Sequence, residues 1–93
     1  MTEIRRESEI EKKVTQGALA AGWRQRKMAF VGRRGCPDRW FFKAPGRVVI
    51  VEFKDPNGEL SYHQSKEVGW LKKNGFDVHV IDSIAAGLAL FEG

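Results

Sequence analysis

The sequence predicts an α/β fold, a small mixed β-sheet flanked by helices in the order α-β-β-β-α-β-α. Three observations predict it. The run Arg47-Val-Val-Ile-Val-Glu-Phe-Lys54 has an unbroken apolar centre, which suits a central strand covered on both faces. A stretch on either side of the strand-rich middle carries apolar residues at helical spacing. Glycine and proline punctuate the joints, and the 93 residues contain no repeat, linker or low-complexity tract. One domain spanning residues 1–93 is expected.

Each element has its own signal. Ile10, Val14, Ala18 and Ala21 recur on one helical face, which predicts a helix over 7–21 that Gly22 ends; Gly17 weakens it slightly. Trp23 to Val31 reads as a strand, followed by the loop Gly32-Arg33-Arg34-Gly35-Cys36-Pro37. Arg39 to Lys43 is a short aromatic strand. The turn Ala44-Pro45-Gly46 folds it back as a hairpin onto the Arg47–Lys54 strand. Asp55-Pro56-Asn57-Gly58 stops that strand. Ser61, or a residue just before it, caps a helix reaching Asn74, where Gly75 is a natural stop. Phe76 to Ile81 alternates as a strand, and Asp82-Ser83 caps a last helix with Ile84, Leu88 and Phe91 on one face.

Composition narrows the function. No apolar run approaches the ~18–20 residues of a membrane span, and MTEIRRESEIEKK lacks the apolar region of a secretory signal. The single cysteine, Cys36, excludes an internal disulfide and a multi-cysteine zinc site, so a cytoplasmic, reducing location is expected. The formal net charge is +4. From Arg24 to Arg47 there are eight basic residues and one acid, Asp38, which makes this stretch +7 and points to a polyanionic partner.

The chemistry gathers around the central strand. Side chains alternate along a strand, so Glu52 and Lys54 share a face at ~7 Å separation, and they could simply pair with each other. The hairpin brings Asp38 opposite a residue near Glu52. Two carboxylates and an ammonium then meet at one sheet end. Close acids in a low-dielectric site repel unless a cation lies between them, and hard oxygen ligands suit Mg²⁺ or Mn²⁺. Leu60, Gln64, Val68 and Leu71 form one helical stripe, and a glutamine on a buried stripe needs polar partners. His63 and His79 lack ligand spacing. Cys36 beside Pro37 reads as a packed small side chain, and Trp23, Trp40 and Trp70 as core or interface residues.

Pro37-Asp38 followed after thirteen residues by Glu52-Phe53-Lys54 resembles the PD-(D/E)xK nuclease superfamily, with its restriction-endonuclease-like core. The surroundings sharpen the resemblance. Arg34-Gly35-Cys36-Pro37-Asp38, Val51-Glu52-Phe53-Lys54-Asp55-Pro56-Asn57, Leu60-Ser61-Tyr62-His63-Gln64, Trp70-Leu71 and Gly75 together resemble the VRR-Nuc family, the virus-type replication-repair nucleases. The likeness runs from about Glu7 to Asp82, and Cys36 stands where many members have an aliphatic residue. It implies that Asp38, Glu52 and the Phe53 backbone carbonyl bind metal, that Lys54 orients or activates the attacking water, and that Gln64 belongs to the catalytic group. It also implies a glutamate on the first helix. Glu7 lies about 20° from the centre of the apolar stripe and Glu11 about 60°; Glu7 is preferred and Glu11 stays open.

The expected protein is a Mg²⁺- or Mn²⁺-dependent DNA endonuclease, with Arg33 and Arg34 holding phosphate. The final helix and the three tryptophans offer an apolar surplus for a homodimer, and the resemblance implies symmetric pairs that resolve Holliday-type four-way junctions. A flap- or end-processing nuclease, or a non-catalytic nucleic-acid-binding module of the same fold, is the alternative. Stand-alone members of the resembling family are frequent in bacteriophages and bacteria, so the expected location is the cytoplasm, that of the host if the chain is phage-encoded.

Overall fold

The computed structural model describes residues 6–92. Its elements are α1 (Glu7–Ala20), β1 (Arg24–Lys27), β2 (Arg39–Lys43), β3 (Arg47–Phe53), α2 (Tyr62–Lys73), β4 (Val78–Ile81) and α3 (Ile84–Ala89), the order the sequence predicts. The four strands form one mixed sheet in the order β1-β2-β3-β4. β1–β2 and β2–β3 are antiparallel and β3–β4 is parallel, so α2 serves as the crossover between the two parallel strands. β3 is central, and every residue from Val49 to Phe53 is buried.

The pleat of β3 divides the core in two. Val49, Val51 and Phe53 face α1 and α3, packing with Ile10, Val14, Ala18, Phe41, Ile81 and Phe91. Ile50 faces α2 and packs with Val68, Leu71 and Val78, with Trp40 partly covering them. On the first face α1 and α3 approach so closely that a Cβ on Gly87 would lie 2.3 Å from Val14 Cγ2, which requires glycine there.

Two strands are shorter than their sequence patterns. β1 ends at Lys27 rather than Val31, because its partner runs out: Met28 N–H donates to the Asp38 carbonyl at 3.1 Å, and Pro37 beyond it has no N–H to offer. β4 starts at Val78 rather than Phe76, since Phe76 N–H closes the end of α2 on the Leu71 carbonyl at 3.0 Å. The apolar surplus also shrinks. Phe91 is a core residue, 5.2 Å from the Trp23 ring and 4.7 Å from Phe41 between centroids. Ile84 packs on the same cluster, and Leu88 fills the space beside Gly17. Trp23 is buried and Trp40 half-buried; Trp70 alone of the three tryptophans is exposed. Among the described residues no helix is long and apolar enough to cross a membrane.

Candidate functional site

The strand β3 carries Glu52 to the end of the sheet, beside Val80 of β4 and beneath the first turn of α2. The side chain is 1% exposed, the sole charged residue among the buried ones described. Its two oxygens differ. Oε1 accepts a hydrogen bond from Gln64 Nε2 at 3.0 Å, whereas Oε2 is buried beside the Asp38 carboxyl and receives no hydrogen bond from a donor among the described residues. A buried carboxylate with a free oxygen is energetically expensive unless it is protonated or meets a cation. Burial, and next the Asp38 carboxylate, push the Glu52 carboxyl up to about 8, against the pull of Lys54.

Asp38 reaches this point by hairpin register. Arg39 pairs with Val51, so one residue further out Asp38 meets the end of β3. Its Oδ2 accepts from Phe53 N–H at 3.0 Å, which ties the loop before β2 to the central strand. That loop is held close by a glycine: Gly35 has φ +96°, and a Cβ there would sit 2.5 Å from the His63 carbonyl oxygen.

Gln64 is placed by helix capping. The Ser61 hydroxyl accepts from Gln64 N–H at 3.2 Å, and Gln64 Oε1 accepts from Ser61 N–H at 2.9 Å, a reciprocal capping box. With Oε1 so engaged, the amide NH₂ is free to donate to Glu52. The sequence pattern of an apolar stripe interrupted by glutamine thus has a polar partner.

α1 supplies the remaining acid. Glu7 opens the helix, and its N–H donates to Asp55 Oδ1 at 2.6 Å, so the turn after β3 caps the start of α1. Burial raises the Glu7 carboxyl above its ordinary range; Lys54 opposes this, and Asp38 adds to it. Glu7 therefore lies within the field of both Lys54 and Asp38. Glu11, the other acid left open, turns to the hairpin instead: Oε2 pairs with Arg39 Nε at 2.7 Å and Lys27 Nζ at 3.4 Å. The structure thus gathers Glu7, Asp38, Glu52, Lys54 and Gln64 at one end of the sheet. Arg33 does not join them. Its guanidinium pairs with Glu67 of α2 at 3.3 Å and lies over the Phe30 ring, while Arg34 is exposed. Asp55 as a cap and Glu67 as an anchor were not visible in the sequence, since both bonds span more than thirty residues.

Among the described residues no group of three or more His, Cys, Asp or Glu side chains is assembled as a ready cation cage. The donors available here are the carboxylates of Asp38 and Glu52 and the Phe53 carbonyl. The unpartnered Glu52 Oε2 fits a hard divalent cation, because a cation would satisfy that oxygen and relieve the repulsion from Asp38.

No family model matches the chain. It is 35% identical over 78 residues, 84% of each chain, to "Putative nuclease p44" of Acyrthosiphon pisum secondary endosymbiont phage 1. A solved structure described as a VRR_NUC domain superimposes with a TM-score of 0.83 at 30% identity, covering 90% of this chain and 91% of its own.

Proposed function

Since the chain belongs to the VRR-Nuc family of nucleases, we propose that it is a Mg²⁺- or Mn²⁺-dependent DNA endonuclease acting at the end of β3. The observation that carries this reading is the buried Glu52 carboxylate, with one oxygen pinned by Gln64 and the other free beside Asp38. Asp38, Glu52 and the Phe53 carbonyl would hold the ion, which supplies positive charge beside the phosphate and activates the attacking water.

The chain's own groups do the rest. Gln64 fixes Glu52 through Oε1 and leaves Oε2 for the ion. Phe53 N–H fixes Asp38 in the same way. Lys54 shares its face with Glu52 and brings an ammonium where charge builds on the phosphoryl oxygens in the transition state. Glu7, its carboxyl raised by burial, is placed to accept or hold a proton at the water. Arg34, exposed on the glycine loop, is the phosphate contact of that loop; Arg33 acts by tethering the loop to α2 through Glu67.

The finer reading is a homodimer selective for four-way junctions. Trp70 is 56% exposed and Phe76 51%, and the two rings stack at 6.0 Å on the outer side of α2, an apolar pair that a second copy would cover. Two sites related by a dyad suit two strands related by the same symmetry. Nicking of a labelled four-way junction and of a linear duplex, each with Mg²⁺, with Mn²⁺ and with chelator, tests the activity. Cleavage that survives the chelator overturns metal dependence, and equal cleavage of both substrates overturns junction selectivity. Sedimentation near 10.5 kDa rather than twice that overturns the dimer.

A further inference from the structure

Half of the α2-facing side of the sheet is bare. α2 packs on β3 and β4, where Val68 and Leu71 meet Ile50 and Val78. β1 and β2 extend past it. Their register sets Arg24, Phe42 and Val48 in one row across β1, β2 and β3, and Arg26, Trp40 and Ile50 in the next, all on this face. Arg24, Arg26 and Val48 are exposed and Phe42 is half-buried. At the hairpin end Arg24, Lys43 and Arg47 rim an open groove of about 390 Å³ over Phe42 and Val48.

The cations here differ from those near the carboxylates. Arg39 and Arg33 are neutralised by Glu11 at 2.7 Å and Glu67 at 3.3 Å. Arg24, Arg26, Lys43 and Arg47 form no ion pair among the described residues. Arg26 donates to the Gln25 carbonyl at 2.7 Å, while Lys43 and Arg47 turn to the α1 side, Lys43 donating to the Ala21 carbonyl at 3.0 Å and Arg47 lying 4.7 Å from the centroid of the Trp23 ring. Fixed, unneutralised positive charge around an apolar floor complements a sugar–phosphate chain. On β2 this face leads from Phe42 past half-buried Trp40 to Asp38, while on β3 α2 covers Ile50. From Phe42, opposite Arg24, to Asp38 is four residues of strand, ~13 Å, or about four nucleotides of rise along B-form DNA.

We propose that this bare face binds the nucleic-acid backbone about four nucleotides from the bond cut, with Arg24 and Arg26 on phosphates and Phe42 and Val48 beneath the sugars. The inference rests on the nuclease reading and adds the path of the DNA arm away from the site. It requires the substrate to extend at least that far on this side.

The double variant Arg24→Gln/Arg26→Gln tests it, since both residues are exposed and unpaired and melting should match the parent. DNA binding by fluorescence anisotropy of the full chain, with Ca²⁺ in place of the catalytic metal, is measured across a salt series. The slope of log K against log salt should fall by about two, and Arg24→Lys/Arg26→Lys should restore it. Trimming the duplex arm to under about four base pairs should weaken the parent and leave the Gln variant unaffected. If the parent cleaves DNA but the slope is unchanged, the proposal fails alone and the face passes to an acidic protein partner. A parent that neither binds nor cleaves DNA overturns the nuclease reading and this inference with it.

Discussion

The two faces of the sheet are built to different ends. Among the described residues the face under α1 and α3 buries ten apolar residues and no ionisable one, and its aromatic rings touch edge-on and tilted. The face under α2 buries four, together with the carboxylate of Glu52. A small domain has few kcal/mol to spare, so an acid with an unpartnered oxygen is tolerable only where the opposite face supplies most of the stability. The separation is a consequence of strand pleat: Val51 and Phe53 serve one face while Glu52 and Lys54 serve the other, within four consecutive residues.

That division can be broken first at Glu52. Glu52→Gln should lower DNA cleavage by on the order of 10²–10³ in initial rate and raise the melting temperature of the metal-free protein at neutral pH. The pH dependence follows from the same group. Its folded carboxyl is raised to about 8 from an ordinary 4.5, so the folded state holds the proton more tightly than the unfolded chain. This contribution is complete below about pH 4.5 and is lost as pH rises through 8. Glu7 is shifted in the same direction. Thermal melts of metal-free protein should therefore fall between pH 5 and 8, and Glu52→Gln should flatten the fall. A parallel decline in parent and variant would place the cause elsewhere.

The packing half of the comparison is tested by matched truncations. Phe41→Ala, at the centre of the larger cluster, should cost about 3–5 kcal/mol and leave little folded protein. Leu71→Ala, in the smaller cluster, should cost about 2 kcal/mol, the low end for such a change. Urea unfolding compares them, and equal losses would mean that the two faces bear equal shares. The smallest effect is expected at Gln64. Gln64→Ala removes the donor to Glu52 and half of the α2 capping box, so cleavage should drop about tenfold and stability by about 1 kcal/mol. Gln64→Glu retains a side-chain oxygen for the cap but sets a third acid beside Glu52. It should melt near the parent in acid and well below it at pH 8, where circular dichroism would register the difference.

Elements whose signals are local were legible in the sequence. The apolar run of β3, the Ser61 cap of α2 and the turn between β2 and β3 each contain their own physical cause within a few residues. The α1 stripe was legible for the same reason, with Ile10, Val14 and Ala18 all buried. The meeting of Asp38 with the end of β3 followed from the hairpin, since two strands joined by a short turn have little freedom of register. Where the outcome depended on a distant partner, the sequence was silent. Helical angle favoured Glu7 over Glu11 but could not say that Arg39 and Lys27 would draw Glu11 to the hairpin. The arginines of the glycine loop read alike, yet only Arg33 finds Glu67.

By itself, then, the sequence determined the order of elements, the central strand and the acids and lysine carried at its end, because periodicity and turn chemistry act over short range. The tertiary structure alone decided which face each element covers, and so which charges are neutralised. It closed α3 onto α1, turning Phe91 from surplus into core, and it stopped α2 short of β1, leaving Arg24 and Arg26 without counter-charges among the described residues. Packing is a competition among residues far apart in the chain, and its result is not written in any one segment.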